Sequence, residues 1–459
     1  MQWRYERIKE MERERLGSRL GFILLSAGCA IGVGNVWKFP YMTGQYGGGA
    51  FVVVYLLCLI LLGVPVMTME FALGRASQKS PVKLYDALAK KGSKWYLHGY
   101  AAMAGNYILM FFYTIVTGWM VRYFVDTATG KFVGASVEDV NNMFGAMMSE
   151  PVSLIVYMAI VVAVGILVCS LGVQKGVEKI SKPMMIALLA IMVVLAVNSV
   201  FLPGAAEGVK FYLIPDLQKM KSVGIGNVVV GAMNQAFFTL SLGIGSMAIF
   251  GSYIGKERSL MGEAVNVAVL DTFVALCAGM IIFPACFAYG VQPDSGPNLI
   301  FVTLPNIFNN IPLGRLWGSL FFVFMTFAAF STIIAVFENI IAMCMDLFGW
   351  TRKKTCMINA AILFVGSIPC ALGFNVWSNF AIAGKGIMDL EDFAVSNILL
   401  PLGALTYVLF CVTRYGWGWD KFVAEANEGK GLKVAKWMRP YMTYVIPVII
   451  IAIFLIGIL

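Results

Sequence analysis

Eleven stretches of this chain run for about the twenty residues that a bilayer-spanning helix needs, with scarcely a charge inside them. They fall near residues 20–46, 50–76, 97–122, 151–171, 183–203, 224–254, 262–291, 316–347, 355–375, 391–415 and 440–459. Backbone in lipid must satisfy its own hydrogen bonds, so each stretch is predicted to be a helix. The expected fold class is an all-α polytopic membrane protein with eleven transmembrane helices. The uncharged stretch 295–314 is different, because Pro297, Pro305 and Pro312 cut it into pieces too short to span; 293–314 reads as an extracellular capping loop. Composition agrees, with 59% hydrophobic residues, 13% charged and a mean hydropathy of +0.81. A soluble domain carries roughly twice that charge.

The net charge of +9 would suit a nucleic-acid binder only if the cations formed a patch. They are instead partitioned between loops. With the N-terminus placed inside, 26 of the 34 Lys and Arg fall in inner segments and seven in outer ones, and Lys38 sits at the end of the first span. The positive-inside rule therefore predicts a cytoplasmic N-terminus and an extracellular C-terminus. Residues 1–19 read as a cytosolic tail and 416–439 as a cytosolic loop. Nine isolated cysteines and one histidine, His98, supply no metal motif and no catalytic triad, so an enzyme is not expected.

The first and sixth spans stand apart. Gly28, Ala30, Gly32 and Gly34 cluster in one, and Thr239, Ser241, Gly243 and Gly245 in the other, each near mid-membrane. These are the first helices of two five-helix halves, 20–203 and 224–415. Interrupted helices in corresponding places point to a transporter's binding site, since unwound backbone survives at that depth only where protein or a polar cavity encloses it. The alternative is that Gly28 and Gly32 merely let two helices pack closely. Half-helix N-termini suit a carboxylate and bare carbonyls suit a hard cation, so the site is expected to take a zwitterion and a cation together.

The segments GCAIGVGNVWKFPYMTGQYGGGAF, EFALGR, KGVEKISKP, NQAFFTLSLG and FAAFSTIIAVFEN resemble the neurotransmitter:sodium symporter family, and most of all its bacterial amino-acid branch. The resemblance spans nearly the whole chain. It implies the LeuT fold, a five-plus-five inverted repeat with broken helices 1 and 6, here with helix 11 (440–459) added, in a cell inner membrane. It also implies two Na+ sites. The first comprises Ala30, Asn35, Thr239 and Asp271; the second comprises Gly28, Ile31, Ala328, Ser331 and Thr332. Around the substrate it places Ala30, Val33, Gly34, Leu109, Tyr113, Phe238, Thr239, Ser241, Ile244, Thr332 and Val336. Lys38 and Asp392 would close an outer gate above Phe238, with Arg13, Asp346 and Tyr253 at the inner gate.

Two departures refine the expectation. Asp271 stands where the family usually has asparagine, which would build negative charge into the first ion site and make chloride dispensable; a neutral, interhelical Asp271 is the alternative. Gly32 stands where monoamine carriers have an aspartate, leaving room for a substrate carboxylate, and no charged side chain is expected around the substrate side chain. The expected function is Na+-coupled, chloride-independent import of aliphatic and aromatic L-amino acids by alternating access. A non-transporting amino-acid sensor or a Na+ channel on the same fold is the alternative. Gly172, Gly176 and Pro183 mark a segment at the start of span 5 that would unwind to admit water. Glu70, Arg75, Glu263 and Glu338 are charges without an assigned role.

Overall fold

The structure, a computed structural model, describes residues 16–290 and 298–458, which form helices joined by turns with three isolated β-bridges. The principal helices are α1 (Arg19–Ala30), α2 (Gly34–Gln45), α3 (Gly49–Ser77), α4 (Tyr96–Ala128), α5 (Pro151–Ser170), α6 (Val173–Val200), α7 (Ile225–Thr239), α8 (Ser246–Gly251), α9 (Leu260–Ala288), α10 (Gly314–Phe348), α11 (Arg352–Leu372), α12 (Ile387–Val412) and α13 (Met438–Ile458). Among the described residues, nine helices are long and apolar enough to cross a membrane, and α1 with α2 makes a tenth, bent by 53°. The remaining expected span, the sixth, is split so widely, across residues 240–245, that neither α7 nor α8 is long enough alone. Part of the expected capping loop lies outside the described residues; the rest holds only the short helix Leu299–Asn309.

Local chemistry sets the ends and the breaks. Ser18 caps α1, its hydroxyl accepting from the Gly21 N–H at 3.0 Å. After Ala30 the backbone extends at Ile31, with φ −73° and ψ 103°, and the chain re-enters a helix through a π turn from Gly34 to Lys38. In the second break Ser241, Gly243 and Gly245 all have positive φ, at 50°, 92° and 80°. Glycine is required at 243, where a Cβ would also lie 2.2 Å from the Leu400 carbonyl oxygen.

The breaks free backbone groups, and side chains from neighbouring helices take up several of them. The Gly243 N–H donates to Glu70 of α3 at 2.6 Å, and the Gly243 carbonyl lies 3.2 Å from His98 Nε2 of α4. Asn106 Nδ2 donates to the Ile244 carbonyl at 2.8 Å, and Gln235 Nε2 donates to the Gly34 carbonyl at 2.8 Å. Leaving one such buried group unpaired would cost about 1–3 kcal/mol. The polar residues of α3 and α4 are therefore structural partners of the breaks.

The most extensive helix pair is α4 with α10, of 33 and 35 residues, each roughly 50 Å long by the helical rise and so longer than a bilayer's apolar core. Outward-facing Leu57, Ile60, Val197 and Leu455 leave an apolar exterior suited to lipid. The charges without an expected role all have partners. Arg75 pairs with Glu425 at 2.5 Å, Arg19 with Glu263 at 3.0 Å, and Arg352 with Glu338 at 2.7 Å. Glu70 is the acceptor at the second break. The segment between Gly172 and Pro183 is helical here, beginning with a π turn, and Glu178 ties it to the chain start by accepting from the Gly17 N–H at 2.7 Å and from Ser18 Oγ at 3.1 Å.

Candidate functional site

The two breaks meet at a small central cavity. Of the residues expected around a substrate, Ala30, Gly34, Leu109, Tyr113, Phe238, Ser241, Ile244 and Thr332 line it. Val33, Thr239 and Val336 do not. Val33 meets the site through its backbone, its N–H donating to the Tyr113 hydroxyl at 2.8 Å. Thr239 turns toward Asp271, and Val336, one helical turn beyond Thr332, is fully buried away from the cavity wall. Cys29, Gly32, Val395 and Leu400 complete the lining. The two residues from α12 were not foreseen, because an apolar position on a long apolar helix carries no mark of which face it presents. No lining residue is charged.

Gly32 is fixed by its surroundings. A Cβ there would stand 2.2 Å from the Tyr113 hydroxyl and 2.3 Å from Thr332 Oγ1. The space expected to be open above this glycine is held by those two hydroxyls, which bring α4 and α10 together on the first break.

Five of the expected oxygen-bearing residues converge behind the first break. Ser331 Oγ lies 3.0 Å from the Ile31 carbonyl and 2.8 Å from the Ala328 carbonyl. Thr332 Oγ1 lies 3.4 Å from the Gly28 carbonyl and 3.3 Å from that of Ile31. The Cys29 carbonyl joins them, 3.4 Å from Thr332 Oγ1 and 3.1 Å from Ser241 Oγ. Neutral carbonyl and hydroxyl oxygens gathered in this way are of the kind that a hard cation takes as ligands. Close approach of α1 to α10 depends on Gly28, where a Cβ would touch the Ser331 Cβ at 3.3 Å and Met185 Sδ at 3.4 Å.

A second polar cluster surrounds Asp271, fully buried in α9. Its Oδ1 accepts from Asn35 Nδ2 at 2.8 Å and from Thr239 Oγ1 at 3.0 Å, and its Oδ2 accepts from the Tyr55 hydroxyl at 3.3 Å. Asn35 in turn accepts from the Gly32 N–H at 3.1 Å. Ala30 stands on the cavity side, so Asn35, Thr239 and Asp271 are brought together and Tyr55 is an addition. All three side-chain donors to the carboxylate are neutral. An ionised carboxylate held only by neutral donors in a low-dielectric interior lacks several kcal/mol of compensation, which a bound cation would supply.

Above the cavity, Lys38 Nζ sits 3.0 Å from Asp392 Oδ1 and 3.1 Å from Ser396 Oγ, and 4.2 Å from the centre of the Phe238 ring. Lys38, Asp392 and Phe238, expected at the outer gate, are thus brought together. At the opposite end Asp346 accepts from the Ser80 N–H at 2.7 Å, and Tyr253 donates to Glu338 at 2.8 Å. Arg13 lies outside the described residues.

These features have counterparts in known proteins. The sequence pattern described as the Sodium:neurotransmitter symporter family matches residues 13–143 and 139–459. An uncharacterized sodium-dependent transporter of Bacillus subtilis (strain 168), YhdH, is 35% identical over 456 residues, covering 98% of this chain and 100% of that protein. The sodium-dependent serotonin transporter of Drosophila melanogaster is 27% identical, covering 98% of this chain and 77% of that one. The crystal structure of MhsT in complex with L-phenylalanine matches with a TM-score of 0.89 and 36% identity, covering 97% of this chain and 100% of that chain. The fold is the LeuT fold, and the relatives are transporters and not enzymes. This chain belongs to the sodium:neurotransmitter symporter family.

Proposed function

We propose that the protein imports hydrophobic L-amino acids, aliphatic and aromatic, together with two Na+ ions and without a chloride requirement. The observation that carries this reading is an uncharged, largely apolar cavity flanked by two oxygen clusters, each built on the first helix break. A charged substrate side chain would be buried there without a counter-ion, which is strongly disfavoured. The substrate amine and carboxylate instead meet the exposed backbone of the two breaks, with Tyr113 and Gly34 on the carboxylate side. MhsT, solved with L-phenylalanine, supports a bulky neutral substrate.

One ion is assigned to Gly28, Ile31, Ala328, Ser331 and Thr332, the other to Ala30, Asn35, Thr239 and Asp271. In the second, Asp271 supplies the negative charge that a bound chloride would otherwise provide. Ion and substrate binding draw the halves together, Lys38 and Asp392 close above Phe238, and the inner end then opens around Asp346, Tyr253 and Arg13. The Na+ gradient and the membrane potential drive the cycle, each elementary charge moved across 100 mV contributing about 2.3 kcal/mol. The distribution of Lys and Arg supports a cytoplasmic N-terminus and an extracellular C-terminus, and the resemblance to the bacterial branch supports an inner membrane.

The test is counterflow of labelled tryptophan, leucine and lysine in proteoliposomes, with Na+ or K+ and with chloride or gluconate. Sodium-dependent exchange of tryptophan and leucine, unaffected by gluconate, is expected. Equal exchange in K+, exchange of lysine, or a chloride requirement would overturn the corresponding part of the reading. Binding without exchange would identify a sensor, and current without substrate flux would identify a channel.

A further inference from the structure

A second cavity, of about 360 Å³, lies between α4 and α12 and backs onto the second break. Leu97, Ala101, Ile244, Leu399 and Leu402 give it apolar walls, and its inner end reaches Gly243. Its lining includes Lys94, which also lines a separate cleft of about 500 Å³ with Lys90 and Lys91. That cleft contains one carboxylate, Asp86, already paired with Lys83 at 3.0 Å. Lys90, Lys91 and Lys94 are exposed, so the cleft has an excess of positive charge facing water. Exposed Tyr96, Tyr100 and Tyr415 surround the region, and Trp95 Nε1 donates to the Tyr415 carbonyl at 3.1 Å. Amphipathic rings of this kind mark the headgroup depth of a bilayer.

A basic, wet cleft joined through one lysine to an apolar slot between two membrane helices has the chemistry of a head and a tail. We propose that this is a binding site for an anionic phospholipid, its phosphate between Lys91 and Lys94 and one acyl chain running between α4 and α12 toward Gly243. Charge complementarity selects the occupant: a zwitterionic lipid gains little from unpaired lysines, and a free phosphate has nothing to place in the slot. The chain end would rest beside the peptide that Glu70 and His98 hold, so an occupied slot steadies the second break.

The experiment is native mass spectrometry of the full-length protein, delipidated in detergent and titrated with phosphatidylglycerol or phosphatidylcholine of identical acyl chains. Phosphatidylglycerol is expected to be retained at least ten-fold more tightly. Lys91→Gln and Lys94→Gln are each expected to weaken it about five-fold, and together to abolish the preference. Glycerol phosphate at millimolar concentration is expected not to compete. Both lysines are exposed, and an unchanged thermal midpoint without lipid confirms that the variants fold. Equal retention of the two lipids, a preference that survives the double substitution, or displacement by glycerol phosphate would each overturn the proposal.

Discussion

Substituting Gly32 tests whether the first break is held by the two hydroxyls that close on it. In Gly32→Ala the new Cβ would lie 2.2 Å from the Tyr113 hydroxyl and 2.3 Å from Thr332 Oγ1. Ordinary contact needs about an ångström more on each side, and the two contacts come from different helices, so no single rotation relieves both. Moving the tyrosine breaks its 2.8 Å bond from the buried Val33 N–H. The cost of that loss is about 1–3 kcal/mol. Moving Thr332 also displaces a hydroxyl that lies 3.3–3.4 Å from three carbonyls of the break. Affinity for both substrate and Na+ is therefore expected to fall by roughly ten- to a hundred-fold, from 1.4 kcal/mol per decade. Equilibrium dialysis with labelled tryptophan across a Na+ titration measures both. Binding within two-fold of the native protein, at an unchanged thermal midpoint, would refute the argument. Loss of substrate binding with intact Na+ binding would show that Thr332 does not join the two.

Asp271→Asn removes the only carboxylate of its cluster; Na+ affinity is expected to fall by roughly ten- to a hundred-fold, and uptake to become sensitive to chloride where the native protein is not, as read by uptake in gluconate and chloride buffers. Glu70→Ala strands the Gly243 N–H and is expected to destabilise the protein by about 1–3 kcal/mol in thermal or denaturant unfolding, whereas Glu70→Gln keeps an acceptor and most of the stability. Lys38→Gln opens a gate whose charges are partly exposed, so the effect is bounded at about 1 kcal/mol, or up to about five-fold faster substrate release in a dilution assay. The Asp139 carboxyl, held below the ordinary carboxylate value by the hydroxyl and N–H of Ser136, helps to cap helix Val137–Ser149. That contribution is present above the ordinary value near ~3.9 and is lost as pH falls through the depressed one; amide exchange in this helix is expected to accelerate there before the rest of the chain responds.

Much of this site was legible in the sequence because its logic is local. A run of small residues inside an apolar stretch announces a break, whereas Ser331 and Thr332 are marked only by the family resemblance of the segment that holds them, since intramembrane hydroxyls on their own usually bond back to their helix. The partners that complete each break were not legible, since they come from far along the chain. Glu70 meets Gly243, Asn106 meets Ile244 and Gln235 meets Gly34 only after the helices pack. Each looks in isolation like an unexplained polar residue in lipid. The split of the second broken span was readable, but not its width, which follows from positive φ at Ser241, Gly243 and Gly245. Val395 and Leu400 could not be singled out from their neighbours on α12. The resemblance implies Val336 beside the substrate, whereas the cavity lining reaches Thr332, one helical turn before it.

Thr332 Oγ1 contacts the carbonyls behind the first break and also forms part of the cavity wall. Two ligands that share an atom of the protein are linked thermodynamically: whatever factor one adds to the other's affinity is returned in full. With a cation and an organic substrate bound as proposed, a shift in the hydroxyl that favours one would be felt by the other, so their binding would be coupled without a relay through distant helices.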